Sequence, residues 1–237
     1  MVVDNILITG ATGLLGQELV KILKDKFTNI NLYCPTSKQL NILNFNQLQN
    51  YFDNNKIDLV IHCAAYTDTK KAETDFINCM NTNIVGTCNI LSCCSEKKIK
   101  LVYISTDHVF DGEKGDYTNF DYVNPVSKYA KSKTAGEFAV QMYDNSLIIR
   151  TSFFGNTFPH EIAFYDQWST KDYIDIMAPK ILEVCLSNLF GIFHCASYKK
   201  RLYDLAVQRN PYVKKGYRKD YNSNYVRDTS LVQTDRR

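Results

Sequence analysis

The segment from Asn5 to Lys24, NILITGATGLLGQELVKILK, constrains the fold more than any other stretch of the chain. Ile6, Leu7 and Ile8 form a short apolar run suited to a strand covered on both faces. Gly10, Gly13 and Gly16 follow at three-residue spacing, and Leu14, Leu15, Leu19, Ile22 and Leu23 then recur at helical spacing. Strand, glycine turn and helix, in that order, form the context in which a glycine pattern marks a dinucleotide site. Gly10 lets the chain turn sharply off the strand, and Gly13 lets backbone N–H groups approach a pyrophosphate. Gly16 lets the helix pack tightly on the strand with its positive end toward the phosphates.

The same rhythm continues downstream. Strands are expected over 30–34, 58–62, 100–105 and 147–150, separated by helices over 44–54, 73–94 and 126–143. Strands alternating with helices in this way predict an α/β fold, a Rossmann-type doubly wound parallel sheet. Beyond Arg150 the pattern loosens to a helix over 174–186, a short strand over 191–194 and a helix over 202–208. The expected division is a dinucleotide-binding domain over 1–152 and a short substrate-side portion with a basic tail over 153–237.

Composition narrows the function. No apolar run approaches the ~20 residues of a membrane span, and the first residues lack a secretory pattern, so a cytoplasmic location and no membrane partner are expected. The eight cysteines form no paired C-x-x-C pattern and several sit in apolar runs, so they read as buried free thiols, and no metal is expected. From Ala196 onward eleven Lys and Arg face four Asp, whereas the rest of the chain carries 17 against 21 acids. No nucleic-acid motif accompanies this basic end, which leaves an anionic small molecule or a solvated face.

Reactive residues cluster at two places. Ser105, Thr106 and Asp107 end the fourth strand, where open α/β sheets hold their ligands. Tyr129 and Lys133 follow, four apart on a helix and so on one face. A phenol ionises near 10, and a neighbouring ammonium favours its ionised form. Thr106 and Tyr129 are thereby expected to act on one carbonyl oxygen, with Lys133 lowering the Tyr129 pKa. A second Y-x-x-x-K, Tyr66 to Lys70, falls in a loop without an upstream hydroxyl and is read as coincidence. His62 reads as a packed core residue, and His108 adjoins the site. Cofactor choice rests on the loop after the second strand. No acid occurs between Ile30 and Lys38, while Thr36, Ser37 and Lys38 offer donors and a positive charge to a 2′-phosphate. NADPH is expected, with NADH as the alternative.

The segments TGATGLLG, HCAAYTDTKKAE, NTNIVGTCNIL, STDHVFDG, NPVSKYAKSK and IIRTSFFG resemble the extended short-chain dehydrogenase/reductases, and among these the dTDP-4-dehydrorhamnose reductase group. The resemblance implies a catalytic set of Thr106, Tyr129 and Lys133 that reduces a nucleotide-linked 4-keto-6-deoxy sugar. The cofactor residues expected are Gly10, Thr12, Gly13, Leu14, Leu15, Gly16, Ser37, Lys38, Asn41, Ile42, Ala64, Ala65, Tyr66, Asn83, Tyr129 and Lys133. By the resemblance Asn83 helps position the active-site helix. On the substrate side Asp107, His108, Phe153, Lys200 and Arg201 are expected.

The chain departs from that group at His108, where Tyr is usual, at Phe153, where Trp is frequent, and at Lys70, where Asp is usual. The portion after Gly155 reads as short, which suggests a homodimer or a partner subunit completing the pocket. A sugar-nucleotide 4,6-dehydratase would need Glu where His108 stands. Two other readings stay open: a nucleotide-sugar 4-epimerase, and a non-catalytic subunit resembling the β subunit of methionine adenosyltransferase.

Overall fold

The computed structural model describes residues 3–221 and 226–234. Arg236 and Arg237 of the basic tail lie outside the described residues. The first part of the chain runs β1 (Asn5–Thr9), α1 (Leu14–Lys26), β2 (Asn31–Tyr33), α2 (Phe45–Asn54), β3 (Leu59–His62), α3 (Phe76–Met80), α4 (Gly86–Lys97), β4 (Lys100–Thr106), α5 (Lys128–Gln141) and β5 (Ser146–Thr151). The later part adds β6 (Phe153–Phe154), β7 (Ile162–Phe164), β8 (Trp168–Ser169), β9 (Asp172–Tyr173), α6 (Ile174–Cys185), β10 (Gly191–His194), β11 (Lys200–Arg201), α7 (Leu202–Ala206) and β12 (Lys214–Gly216).

Six strands form one parallel sheet in the order β10-β5-β4-β3-β1-β2. Successive residues of its central strands point to opposite faces. Ile6, Ile8, Ile61, Val102, Ile104 and Ile149 join the core that α1 and α6 cover. Leu7, Val60, Leu101, Tyr103 and Ile148 join the core on the other face, with Leu48 of α2, Ile90 of α4 and Val140 of α5. The apolar runs read from the sequence are therefore strands buried on both sides, as the doubly wound expectation required. The order reverses at β1, whose neighbours are β2 and β3, and this opens a crevice at the strand ends.

The chain beyond residue 152 is interleaved with the sheet rather than set apart from it. Ile174, Met177, Ala178, Ile181 and Val184 form a fully apolar face on α6 that packs beside α1. β10 then pairs with β5 and covers what would otherwise be an open strand edge. The small lobe is left with the short pairs β6–β9, β7–β12 and β8–β11. The segment around Asp228–Leu231 is stitched onto it by bridges at Trp168 and Tyr117. Among the described residues, no helix is long and apolar enough to cross a membrane.

The single helix expected over 73–94 is broken into α3, a π-helical turn over Asn81–Val85, and α4. A π turn shifts the side-chain register locally, and such turns are frequent at functional sites. Here the turn carries Asn83, which is buried.

One buried ion pair ties α5 to the sheet. Glu137 and Arg150 are essentially buried and share three hydrogen-bonded contacts, with Arg150 Nε 3.1 Å from Glu137 Oε1. Ser105 of β4 donates to the second Glu137 oxygen at 2.7 Å. Removing one member of such a pair leaves an uncompensated buried charge, which costs about 3–5 kcal/mol. Arg150→Met should lower the urea-unfolding free energy by about that amount, and Arg150→Met with Glu137→Met should recover most of it. A single variant as stable as the double one would show that the pair is not what fixes α5.

Candidate active site

The glycine turn has the geometry its sequence implies. Gly10 takes a left-handed backbone, φ +68, and a Cβ there would sit 2.6 Å from the Ala64 nitrogen. A Cβ on Gly16 would lie 2.3 Å from the Gly10 carbonyl oxygen, so only glycine lets α1 approach this closely. Gly13 is the N-cap of α1 and offers no side chain to its first turn. The first-turn amides are thus left to a ligand at the positive end of the helix.

From this turn a cleft of about 610 Å³ runs across the strand ends. Gly10, Thr12, Gly13, Leu14, Leu15, Gly16, Ser37, Asn41, Ile42, Ala64 and Ala65 line its nucleotide end, and Thr106, His108, Tyr129, Lys133 and Phe153 its far end. The crevice suits a dinucleotide: it has a cradle that a Cβ would fill, an uncapped helix start and a buried hydroxyl without a partner (Thr151) at the far end.

Asn83 connects loop and helix. It accepts from the Tyr66 N–H at 2.7 Å, donates to the Tyr66 carbonyl at 3.1 Å and donates to Ser132 Oγ at 2.8 Å. Ser132 in turn donates to the Tyr129 carbonyl at 2.7 Å. The Ala64–Tyr66 loop is thereby fastened to the turn of α5 that carries Tyr129. The Tyr66 hydroxyl donates to Asp75, so its side chain faces away from the cleft lining.

Lys133 is buried and donates to the Ile104 carbonyl at 2.8 Å, with its ammonium 4.0 Å from the centre of the Tyr103 ring. Burial lowers its pKa from 10.5 to about 7. The expectation that Lys133 lowers the Tyr129 pKa is not met in this geometry. Burial pushes the phenol above its ordinary value, while the Thr106 hydroxyl pulls the other way. Tyr129 is therefore protonated at neutral pH, which is the state a proton donor needs. Thr106 donates to Asp107 at 3.2 Å and accepts from the His108 N–H. The His108 ring meets Tyr129 edge-on at 6.2 Å.

Asp107 is buried beneath the cleft and accepts from Thr229 at 2.8 Å. Burial alone would raise its pKa, but Lys171, His108 and the Thr229 hydroxyl bring it below the usual carboxylate value. His62 is a core residue as expected: its Nδ1 lies 2.6 Å from Thr9 Oγ1 and its Nε2 3.1 Å from Thr87 Oγ1. Burial drives its pKa to about 3.

Two cations lie elsewhere than expected. Lys200 is buried in an ion pair with Asp172 at 2.6 Å, and Arg201 is stacked on Tyr165 and Trp168. Neither lines the cleft, because the tight pairing of β11 with β8 turns both into the small lobe. Lys38 is exposed beyond the cleft rim, next to Ser37, which does line it, while Thr36 is occupied by Gln39. Other basic residues of the C-terminal part are matched internally, Lys199 by Asp116 and Asp228 and Arg209 by Asp175.

Among the lining residues that the sequence reading did not place in the site, two stand out. Thr151 directly follows the LIIR strand, and the rule that ligands gather at strand ends would have found it. Lys171 carries no local signal. It reaches the cleft only because β8 and β9 bracket it, with its carbonyl accepting from Lys200 at 3.0 Å and its N–H donating to Ser169 at 3.0 Å. Among the described residues no acid lies within 4 Å of its ammonium.

Hydride exchange between a dinucleotide and a carbonyl substrate is the chemistry this crevice defines, and the class is a Rossmann-type oxidoreductase. The family model of the RmlD substrate binding domain matches residues 4–165, and the chain belongs to that family. It is 28% identical over 222 residues to the dTDP-4-keto-6-deoxy-D-glucose reductase of Streptomyces niveus, covering 86% of this chain and 76% of that one. It is 33% identical over 160 residues to the dTDP-4-dehydrorhamnose reductase of Aggregatibacter actinomycetemcomitans, covering 65% and 54%. The fold superposes on the dTDP-4-dehydrorhamnose reductase of Bacillus anthracis in complex with NADP, with a TM-score of 0.88 and 25% identity over 98% of this chain and 92% of that one. The portion after Gly155, read as short, thus has its counterpart in that structure.

The buried ammonium makes stability depend on pH in a defined sense. The folded pKa of Lys133 is about 7 and its ordinary value 10.5, so between these values the unfolded chain binds more protons. Stability must then rise with pH through that window. The difference in unfolding free energy between wild type and Lys133→Met should shift in favour of wild type by about 2 kcal/mol from pH 7 to pH 9. A difference independent of pH would show that Lys133 keeps its ordinary pKa.

Proposed function

We propose that this chain reduces the 4-keto group of a nucleotide-linked 4-keto-6-deoxy sugar with NADPH. The observation that carries the reading is a protonated Tyr129, set beside Thr106 and one turn from Lys133, at the end of the cleft that begins at the glycine cradle. When bound, the reduced nicotinamide supplies the hydride. Tyr129 gives its proton to the carbonyl oxygen as that oxygen gains charge, and the Thr106 hydroxyl turns from Asp107 to donate a hydrogen bond to it. Lys133, on the same helical face, offsets the charge left on the phenol. The names and the NADP complex among the relatives support the reductase over an epimerase or a non-catalytic subunit.

Lys171 takes the place first assigned to Lys200 and Arg201. It lines the cleft together with His108 and Phe153, its ammonium 5.3 Å from the centre of the Phe154 ring, and supplies the positive partner that the substrate's diphosphate needs. Ser37 and Lys38 remain the residues toward the 2′-phosphate. The eight free cysteines suit a reducing compartment, and we place the protein in the cytoplasm. A homodimer or partner subunit belongs to the same proposal, and a fully active monomer in sedimentation velocity would remove it.

Incubation with NADPH and a panel of nucleotide 4-keto sugars, with absorbance loss and product identity followed, tests the reading. Turnover is expected with at least one 4-keto-6-deoxy sugar, and no turnover with any would overturn the proposal. Tyr129→Phe should lose roughly 10²-fold or more in rate with NADPH binding nearly unchanged. Wild-type turnover by that variant would remove Tyr129 from its role. Lys171→Met should raise KM for the nucleotide sugar about tenfold with kcat little altered, since it removes binding common to ground and transition states. An unchanged KM would exclude Lys171 as the diphosphate partner.

A further inference from the structure

The geometry points to Thr151 as the residue that holds the carboxamide of the cofactor's nicotinamide and so sets which face of the ring meets the substrate. This rests on the reading of the cofactor as a nicotinamide dinucleotide. Thr151 ends β5 in register with Thr106 of β4, so the two side chains stand on the same face of the sheet at adjoining strand ends. It is 2% exposed, it lines the cleft, and its hydroxyl oxygen has no hydrogen-bond partner among the described residues.

The other hydroxyls of the cleft floor each have a partner inside the protein. Ser105 donates to Glu137, Thr106 is shared between Asp107 and the His108 N–H, and Thr9 is bonded to His62. Thr151 alone of these four has nothing to bond to. A buried hydroxyl without a partner is unfavourable, and a valine of the same shape would avoid the loss. A ligand group is therefore the partner that the place calls for.

Depth identifies the group. Ile104, Ser105, Thr106 and Thr151 form a buried floor, whereas His108, Phe153 and Lys171 stand half-buried further out. A hydride donor has to lie between the floor and the substrate, so the floor meets the nicotinamide and the outer ring of residues meets the sugar. The carboxamide presents both an N–H donor and a carbonyl acceptor, and a threonine hydroxyl both donates and accepts. Holding the carboxamide stops the ring from rotating about its glycosidic bond, which fixes the face presented to the carbonyl.

The test uses the full chain, with Thr151→Val removing only the hydroxyl and Thr151→Ser keeping it. Calorimetric titration with NADPH and with 2′-phospho-ADP-ribose, which lacks the nicotinamide, separates the carboxamide from the rest of the cofactor. For the Val variant, NADPH binding should weaken about tenfold while 2′-phospho-ADP-ribose binds as to wild type. The Ser variant should bind NADPH like wild type. The melting temperature of the ligand-free Val variant should be unchanged or higher, because an unpaired buried hydroxyl has been replaced by a methyl group. Unaltered NADPH affinity in the Val variant overturns the assignment, and so does an equal loss for both ligands or a lower melting temperature without ligand. Failure of the wild type to bind either ligand would instead overturn the cofactor reading on which the assignment rests.

Discussion

The Glu137–Arg150 pair is the interaction on which the rest of the site depends. It joins α5 to β5 directly and to β4 through Ser105, deep between the sheet and its helical cover. Tyr129 and Lys133 ride on the same helix, so their height above the end of β4 follows from this anchor. Two charges can be buried here only because each oxygen of the carboxylate has a donor and the guanidinium lies against the Phe110 ring. Such a pair contributes little net stability, but it makes alternative positions of α5 costly.

A second set of contacts works from the opposite side. Asn83 fastens the loop after β3 to α5 through the Tyr66 backbone and Ser132. Asp107 and Thr229 fasten the end of β4 to the last stretch of the described chain. Thr106, Tyr129 and the Ala64–Tyr66 loop are therefore held by partners from separate parts of the sequence. Pre-organisation of this kind matters because a reacting group displaced by an ångström loses much of its rate advantage.

The charge distribution also reads differently once folded. The excess of Lys and Arg after Ala196 suggested an anion-binding face. Much of it is consumed within the small lobe, by Asp172, Asp175, Asp116 and Asp228 and by the aromatic faces of Tyr165 and Trp168. A charge count has no information about pairing, which is a property of distance. Lys171, outside that basic stretch, lines the cleft instead.

Local chemistry made a large part of the protein legible from its residues. The apolar runs at Ile6–Ile8 and Val60–Ile61, the glycine spacing and the helical face shared by Tyr129 and Lys133 are short-range patterns, and each follows from backbone geometry that the neighbouring residues already determine. They specified the strand-turn-helix unit and the doubly wound sheet, whereas Asn41, Ile42, Ala64, Ala65 and Phe153 entered through the family resemblance. The break in the helix at Asn81–Val85 was not legible, because a π turn is stabilised by the contacts Asn83 makes at long range. Neither was the return of α6 and β10 to the sheet, which depends on an open edge of β5 that exists only after folding. Only the tertiary structure raised the Tyr129 pKa, drew Lys133 toward neutrality, left Thr151 unpaired and brought Lys171 to the cleft. Burial, pairing and desolvation are properties of the assembled environment, and no sequence window contains them.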